Sequence, residues 1–133
     1  MNVAEPNMPS LKGLRVLIVE DEPIIAMCLG ELIVDEGCVL VGTAETVAKA
    51  LLMAENEDFD VALLDLNLHG ESVAPVASAV LERGGAIVFS TGALASEVPV
   101  AFKAWPVLCK PYQDEDVLVA LATAVHARNT PVA

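Results

Sequence analysis

A doubly wound α/β fold, with a five-stranded parallel sheet and helices on both faces, is what this sequence predicts, and three observations support it. Short, almost purely apolar runs recur at 14–19, 38–42, 61–64, 86–89 and 107–109. The stretches between them place apolar residues at helical spacing, and strands that alternate with helices build parallel sheets. Four of the five runs lead at once into residues able to handle a phosphate or a metal: Glu20-Asp21, Asp65, Thr91 and Lys110. In an open α/β sheet ligands bind beyond the carboxyl ends of the strands, so these residues are expected along one rim.

Taken in order, residues 1–13, with Pro6 and Pro9, read as a flexible N-terminal tail. The first strand, 14–19, is apolar and β-branched and breaks into Glu20-Asp21-Glu22-Pro23. Pro23 suits a first helical turn, and the acids before it lie at the positive end of the helix dipole. Ile25, Cys28, Leu29, Leu32 and Ile33 then form one helical face that Gly37 closes. A short second strand, 38–42, is followed by a helix start within 43–46 and the stripe Val47, Ala50, Leu51 and Ala54. The third strand, 61–64, is four apolar residues in a row, so it is buried on both faces and delivers Asp65 to its carboxyl end. Asn67 and Gly70 make the turn beyond it.

A further stripe, Val73, Val76, Ala77, Val80 and Leu81, has Pro75 in its first turn and ends at Arg83-Gly84-Gly85. The fourth strand, 86–89, runs into Ser90-Thr91-Gly92. In 94–104 the apolar pattern is weak and Pro99 and Pro106 interrupt it, which predicts a short or irregular fourth helix and considerable loop. The fifth strand, 107–109, ends at Lys110-Pro111. Leu118, Leu121, Ala122 and Val125 share one face of the last helix, and residues 128–133 read as a C-terminal tail.

Composition narrows the function. The 133 residues suffice for one core, and 55% hydrophobic residues exceed what a disordered chain carries. Seven Lys and Arg against nineteen Asp and Glu give a net charge of −12, which argues against nucleic acid as a partner, because phosphate backbones need clustered cations. No apolar run is long enough for a membrane span and residues 1–10 do not resemble a signal peptide, so no membrane partner and a cytoplasmic location are expected. Cys28, Cys38 and Cys109 have neither metal nor redox-pair spacing and are expected to be buried, reduced thiols.

If the first and third strands are neighbours, Glu20, Asp21 and Asp65 converge. Carboxylates brought together repel, and a divalent cation relieves that repulsion. Two acids can hold a hard cation, one can act as a nucleophile, and a hydroxyl and an ammonium can bind phosphoryl oxygens. Each residue alone has an ordinary reading: Glu20 and Asp21 as helix caps, Asp65 and Thr91 as turn residues, Lys110 as a solvated charge. Their joint placement defeats those readings. His69 and His126 read as surface residues, since no second ligand lies at metal spacing.

Glu20-Asp21, Asp65, Thr91 and Lys110-Pro111, in this order and at these spacings, resemble the response-regulator receiver domain of two-component signalling, over residues 14–127. The resemblance implies a flavodoxin-like sheet in the order 2-1-3-4-5. It also implies that Asp65 accepts a phosphoryl group from the phosphohistidine of a histidine kinase, in a Mg²⁺-dependent reaction. In that pattern Asp21 is a direct Mg²⁺ ligand, Glu20 acts through water, Asp65 is both ligand and nucleophile, and Asn67 lends its backbone carbonyl. Thr91 and Lys110 hold phosphoryl oxygens, and the Lys110–Pro111 bond is cis. The chain would then be a phosphoacceptor rather than an enzyme, a stand-alone regulator acting through a downstream protein target or a phosphotransfer protein.

The sequence also departs from that pattern. Val107 stands where an aromatic switch residue is usual, with Trp105 or Phe102 as substitutes, and His69-Gly70 replaces the usual proline turn. With the phrases FSTG and NLHGE, these departures resemble alphaproteobacterial receivers paired with kinases of the HWE or related type. Two other functions compete. An aspartyl-nucleophile phosphatase needs a second aspartate where Asn67 stands, and a phosphorylation-independent binding module should have lost Asp65, Asp21 or Lys110, which are all present.

Overall fold

Alternate residues of the central strands pack into two different cores, and that division accounts for the architecture. The computed structural model describes residues 10–92 and 97–129. In β1 (Arg15–Val19), Leu17 and Val19 enter one cluster while Val16 and Ile18 enter the other. In β3 (Val61–Asp65), Ala62 and Leu64 are divided from Val61 and Leu63 in the same way. A strand covered on both faces must be apolar at every position, which is why these runs show no polar alternation.

The sheet has the order β2-β1-β3-β6-β7, with β2 (Val39–Ala44), β6 (Ala86–Thr91) and β7 (Val107–Cys109), and every pairing is parallel. Counting only these five strands, this is the expected order. One face is covered by α1 (Pro23–Asp35) and α4 (Asp114–Asn129), through Leu29, Ile33, Val117, Leu121 and Val125. The other is covered by α2 (Val47–Asn56) and α3 (Ala74–Glu82), through Ala50, Ala54, Val76, Ala77 and Val80. Fully buried side chains such as Leu17, Ile18 and Ile33 each contribute about 2 kcal/mol of hydrophobic stabilisation. Thr46 caps α2, its hydroxyl accepting from the Lys49 N–H at 3.1 Å.

Several details differ from expectation. Among the described residues there are four α-helices rather than five helical segments. In the described part of 94–104 a 3₁₀ turn forms at Val100–Phe102, and residues 94–96 lie outside the described residues. Phe102 packs against Phe89 with ring centroids 5.9 Å apart, and Trp105 lies partly buried against both clusters. Only Cys38 of the three cysteines is buried. Cys28 sits at the outward margin of the α1 stripe. Cys109 alternates with inward-facing Leu108 on an edge strand, so neither meets the core.

The tails are shorter than the sequence suggests. Helix α4 continues through Asn129, and the Arg128 guanidinium donates to the Asp60 carbonyl at 2.9 Å, holding residues 128 and 129 in the fold. At the other end, Gly13 N–H donates to the Gly37 carbonyl at 2.8 Å and the Leu11 carbonyl accepts from Leu14 N–H, so residues 11–13 are tied down. Residues 1–9 and 130–133 lie outside the described residues.

Candidate functional site

Register brings the rim residues together. Val19 pairs with Leu64, so Glu20 and Asp65, each one residue further, emerge side by side. Asp65 pairs with Ser90 and Thr91 with Cys109, which sets Lys110 next along the same rim. Lys110 N–H donates to the Thr91 carbonyl at 2.8 Å, and Thr91 itself is buried. The Lys110–Pro111 peptide is cis.

One oxygen each from Glu20, Asp21 and Asp65 lies within 4.8 Å of the others. The Lys110 ammonium bridges two of these acids, at 3.2 Å from Asp65 Oδ2 and 3.3 Å from Glu20 Oε1, with Glu22 at 3.5 Å. Asp65 Oδ1 accepts from Asn67 N–H at 3.2 Å, while the Asn67 side chain accepts from Gly70 N–H at 2.8 Å. Glu20 Oε2 accepts from Glu22 N–H at 3.2 Å. The acids and the lysine that the sequence groups together do lie together, and beside them lies Glu22, whose only signal in the sequence was its position in the run Glu20-Asp21-Glu22.

The loop after β3 folds into a small hairpin, β4 (Asn67–Leu68) against β5 (Glu71–Ser72). Its two turn residues, His69 and Gly70, have φ of 50° and 84°, the positive pair of a type I′ two-residue hairpin loop. This turn aims His69 N–H at Asp21 Oδ2, 2.9 Å away, with the imidazole 3.7 Å from the same oxygen. His69 is an exposed residue, as expected, yet its main chain orients an acid of the site.

Crowding shows in the electrostatics. Burial, and next the Asp65 carboxylate, push the Glu20 carboxyl up to about 7, against an ordinary value of 4.5. Burial pulls the Lys110 ammonium down, but Asp65 and Glu20 more than reverse it, so it stays charged. For Asp60, burial is outweighed by hydrogen bonds from Arg15, so that carboxyl lies below its ordinary value.

A group raised in the folded state contributes stability that is complete below its unfolded value and disappears as pH rises through its folded value. Metal-free protein should therefore lose about 3 kcal/mol as pH rises from about 4.5 to about 7. A melting series in chelated buffers checks this; a flat or rising melting temperature across that window contradicts it.

The donor set suits a hard divalent cation. Three carboxylate oxygens lie within 4.8 Å of one another, and burial together with the neighbouring Asp65 raises one of these acids, Glu20, to about 7. No helix among the described residues is long and apolar enough to cross a membrane.

Comparisons with known proteins agree with this geometry. SdrG from Sphingomonas melonis Fr1 has 42% sequence identity and a TM-score of 0.76, over 89% of this chain and 99% of that one. The receiver domain of Erythrobacter litoralis PhyR has 27% identity and a TM-score of 0.78, over 94% and 99%. Among curated proteins, the transcriptional regulatory protein PdtaR of Mycobacterium tuberculosis is 31% identical over 116 residues, 84% of this chain and 56% of that protein. The nitrate/nitrite response regulator NarP of Escherichia coli K12 is 35% identical over 78 residues, 58% of this chain and 36% of that protein. The alignments thus span about half or less of the length of these curated relatives. A family model described as the response regulator receiver domain matches residues 16–122, most of the chain. On that match, and on a sheet order and rim that fit it, the chain belongs to the receiver domains of response regulators.

Proposed function

We propose that this receiver domain is a phosphoacceptor that takes a phosphoryl group onto Asp65 from the phosphohistidine of a histidine kinase, of the HWE or a related type. The observation that supports this most directly is the Lys110 ammonium held 3.2 Å from Asp65 within a cluster of three acids. An Asp65 carboxylate oxygen attacks phosphorus, the new O–P bond forms as the P–N bond breaks, and the electron pair leaves on the imidazole nitrogen. A carboxylate attacks without losing a proton, so the step needs no general base. Lys110 neutralises phosphoryl oxygens, and Thr91, at the end of the neighbouring strand, contributes its hydroxyl.

Glu20, Asp21, Asp65 and the main chain of Asn67 are the groups that would hold Mg²⁺. The ion would offset negative charge on the transferred group. Glu20, buried behind Lys110, fits the role of a ligand acting through water. The chain works as a substrate of its kinase rather than as an enzyme with its own turnover. It signals through contacts with a downstream protein target or passes the phosphoryl group to a phosphotransfer protein. The similarity to the receiver domain of the response regulator PhyR supports a regulatory role.

Intact-mass measurement after incubation with acetyl phosphate, with and without Mg²⁺, tests the proposal. One phosphoryl group gained only with Mg²⁺ is the expected result. Failure to gain one from acetyl phosphate and from a phosphorylated kinase alike refutes it.

A further inference from the structure

Tyr112 follows Lys110 and cis-linked Pro111 and lines a hollow of about 460 Å³ between α1 and the start of α4, together with Ile25, Leu29, Lys110 and Asp114. Its ring packs against the core on the α1 and α4 side of the sheet. Its hydroxyl is buried and has no hydrogen-bond partner among the described residues. Buried hydroxyls are nearly always satisfied, because desolvating one without a partner is unfavourable, so this one demands an acceptor that the present arrangement lacks. Burial raises the hydroxyl above its ordinary value and the Glu20 carboxylate adds to this, which keeps it a protonated donor at neutral pH. Asp65, Lys110 and Glu22 also lie within electrostatic reach.

We propose that Tyr112 is a positioning residue for the phosphorylated state, its hydroxyl donating to the Glu20 carboxylate once Lys110 turns from Glu20 to the phosphoryl group on Asp65. The inference rests on the phosphoacceptor reading above. In the structure one ammonium serves both buried acids, 3.3 Å from Glu20 and 3.2 Å from Asp65. A phosphoryl group is a stronger competitor for that ammonium than a carboxylate, because it brings more charge and more acceptor oxygens. Glu20, only 3% exposed, then keeps the Glu22 N–H and its place among the groups that would hold Mg²⁺, but loses the direct contact with the ammonium, which leaves one of its oxygens open to a further donor. A buried carboxylate short of donors is strongly unfavourable, and Tyr112 offers the unpartnered donor. The hydroxyl is thus idle in one state and bonded in the other.

The chain contains a single tyrosine, which makes the test direct. The 133-residue chain labelled with 3-fluorotyrosine should give one ¹⁹F resonance that moves when Mg²⁺ and beryllium trifluoride, a phosphoryl mimic, are added together, and stays put in Asp65→Asn. In Tyr112→Phe without the mimic, the melting temperature should equal or exceed that of wild type, since an unsatisfied hydroxyl is removed. The ratio of Mg²⁺ affinities with and without beryllium trifluoride should fall about tenfold or more, the effect of losing one hydrogen bond to a charged group. An unmoved resonance, an unchanged ratio, or a less stable Tyr112→Phe overturns the inference and leaves the phosphoacceptor reading intact. Wild type that binds neither the mimic nor a phosphoryl group overturns both.

Discussion

Asp65→Asn should take up no phosphoryl group from any donor, and without metal it should melt about 4–8 °C above wild type at pH 8. The first effect follows from chemistry, since a carboxamide oxygen is too weak a nucleophile to displace histidine from phosphorus. The second follows from crowding. The Asp65 side chain is 8% exposed, and it lies with Glu20 and Asp21 in a cluster whose oxygens are within 4.8 Å of one another. Asparagine keeps one oxygen, enough for either the Lys110 ammonium or the Asn67 N–H, while removing one charge. Relief of that repulsion is worth about 1–2 kcal/mol, which for a domain of this size gives the stated shift. The Glu20 carboxyl should also fall towards its ordinary value, so the loss of stability between pH 4.5 and 7 should shrink. Phosphoryl uptake by Asp65→Asn would contradict the assignment of the acceptor; a lower melting temperature would contradict the electrostatic account.

Lys110→Met should act in the opposite sense, lowering the metal-free melting temperature by about 10 °C at pH 8, with millimolar Mg²⁺ restoring most of it. Lys110 is the cation against which Glu20, Glu22 and Asp65 are set, at 3.3, 3.5 and 3.2 Å, and its side chain is 18% exposed. Breaking a largely buried ion pair costs about 3–5 kcal/mol. Here the loss is reduced to about 2–3 kcal/mol, because Glu20 takes up a proton instead of remaining an unpaired charge. A divalent ion supplies the missing positive charge, so the Mg²⁺ response should be larger than in wild type. Paired thermal scans with chelator and with Mg²⁺ check this. Equal melting temperatures for the two proteins would mean that Lys110 is not the counter-charge of the rim.

Legibility in the sequence followed the range of the interaction. Each apolar run read as a strand is a strand; β1, β3 and β6, covered on both faces, leave their mark within five or six consecutive residues, while the edge strands β2 and β7 are apolar though only partly buried. The weak pattern after Gly92 was legible as a shortened element for the converse reason, and Val100–Phe102 forms only a 3₁₀ turn. The small hairpin beyond Asp65 was less visible. His69-Gly70 was read as a turn, but nothing local says that two residues on either side pair, or that His69 N–H reaches Asp21 from 48 positions away.

By itself the sequence determined the alternation of strands and helices, and with it the delivery of Glu20, Asp21, Asp65, Thr91 and Lys110 to the carboxyl ends of strands, because periodicity and chain direction are local properties. Only the tertiary structure decided which of these groups touch. Strand order and register set Lys110 against Glu20 and Asp65 across 90 and 45 residues. The same order made β7 an edge and left Cys109 outside the core. Folding also drew Tyr112 towards the acids with its hydroxyl unsatisfied, and carried α4 on to the Arg128 contact with Asp60. Burial and charge depend on what arrives from distant parts of the chain, and no run of neighbouring residues encodes that.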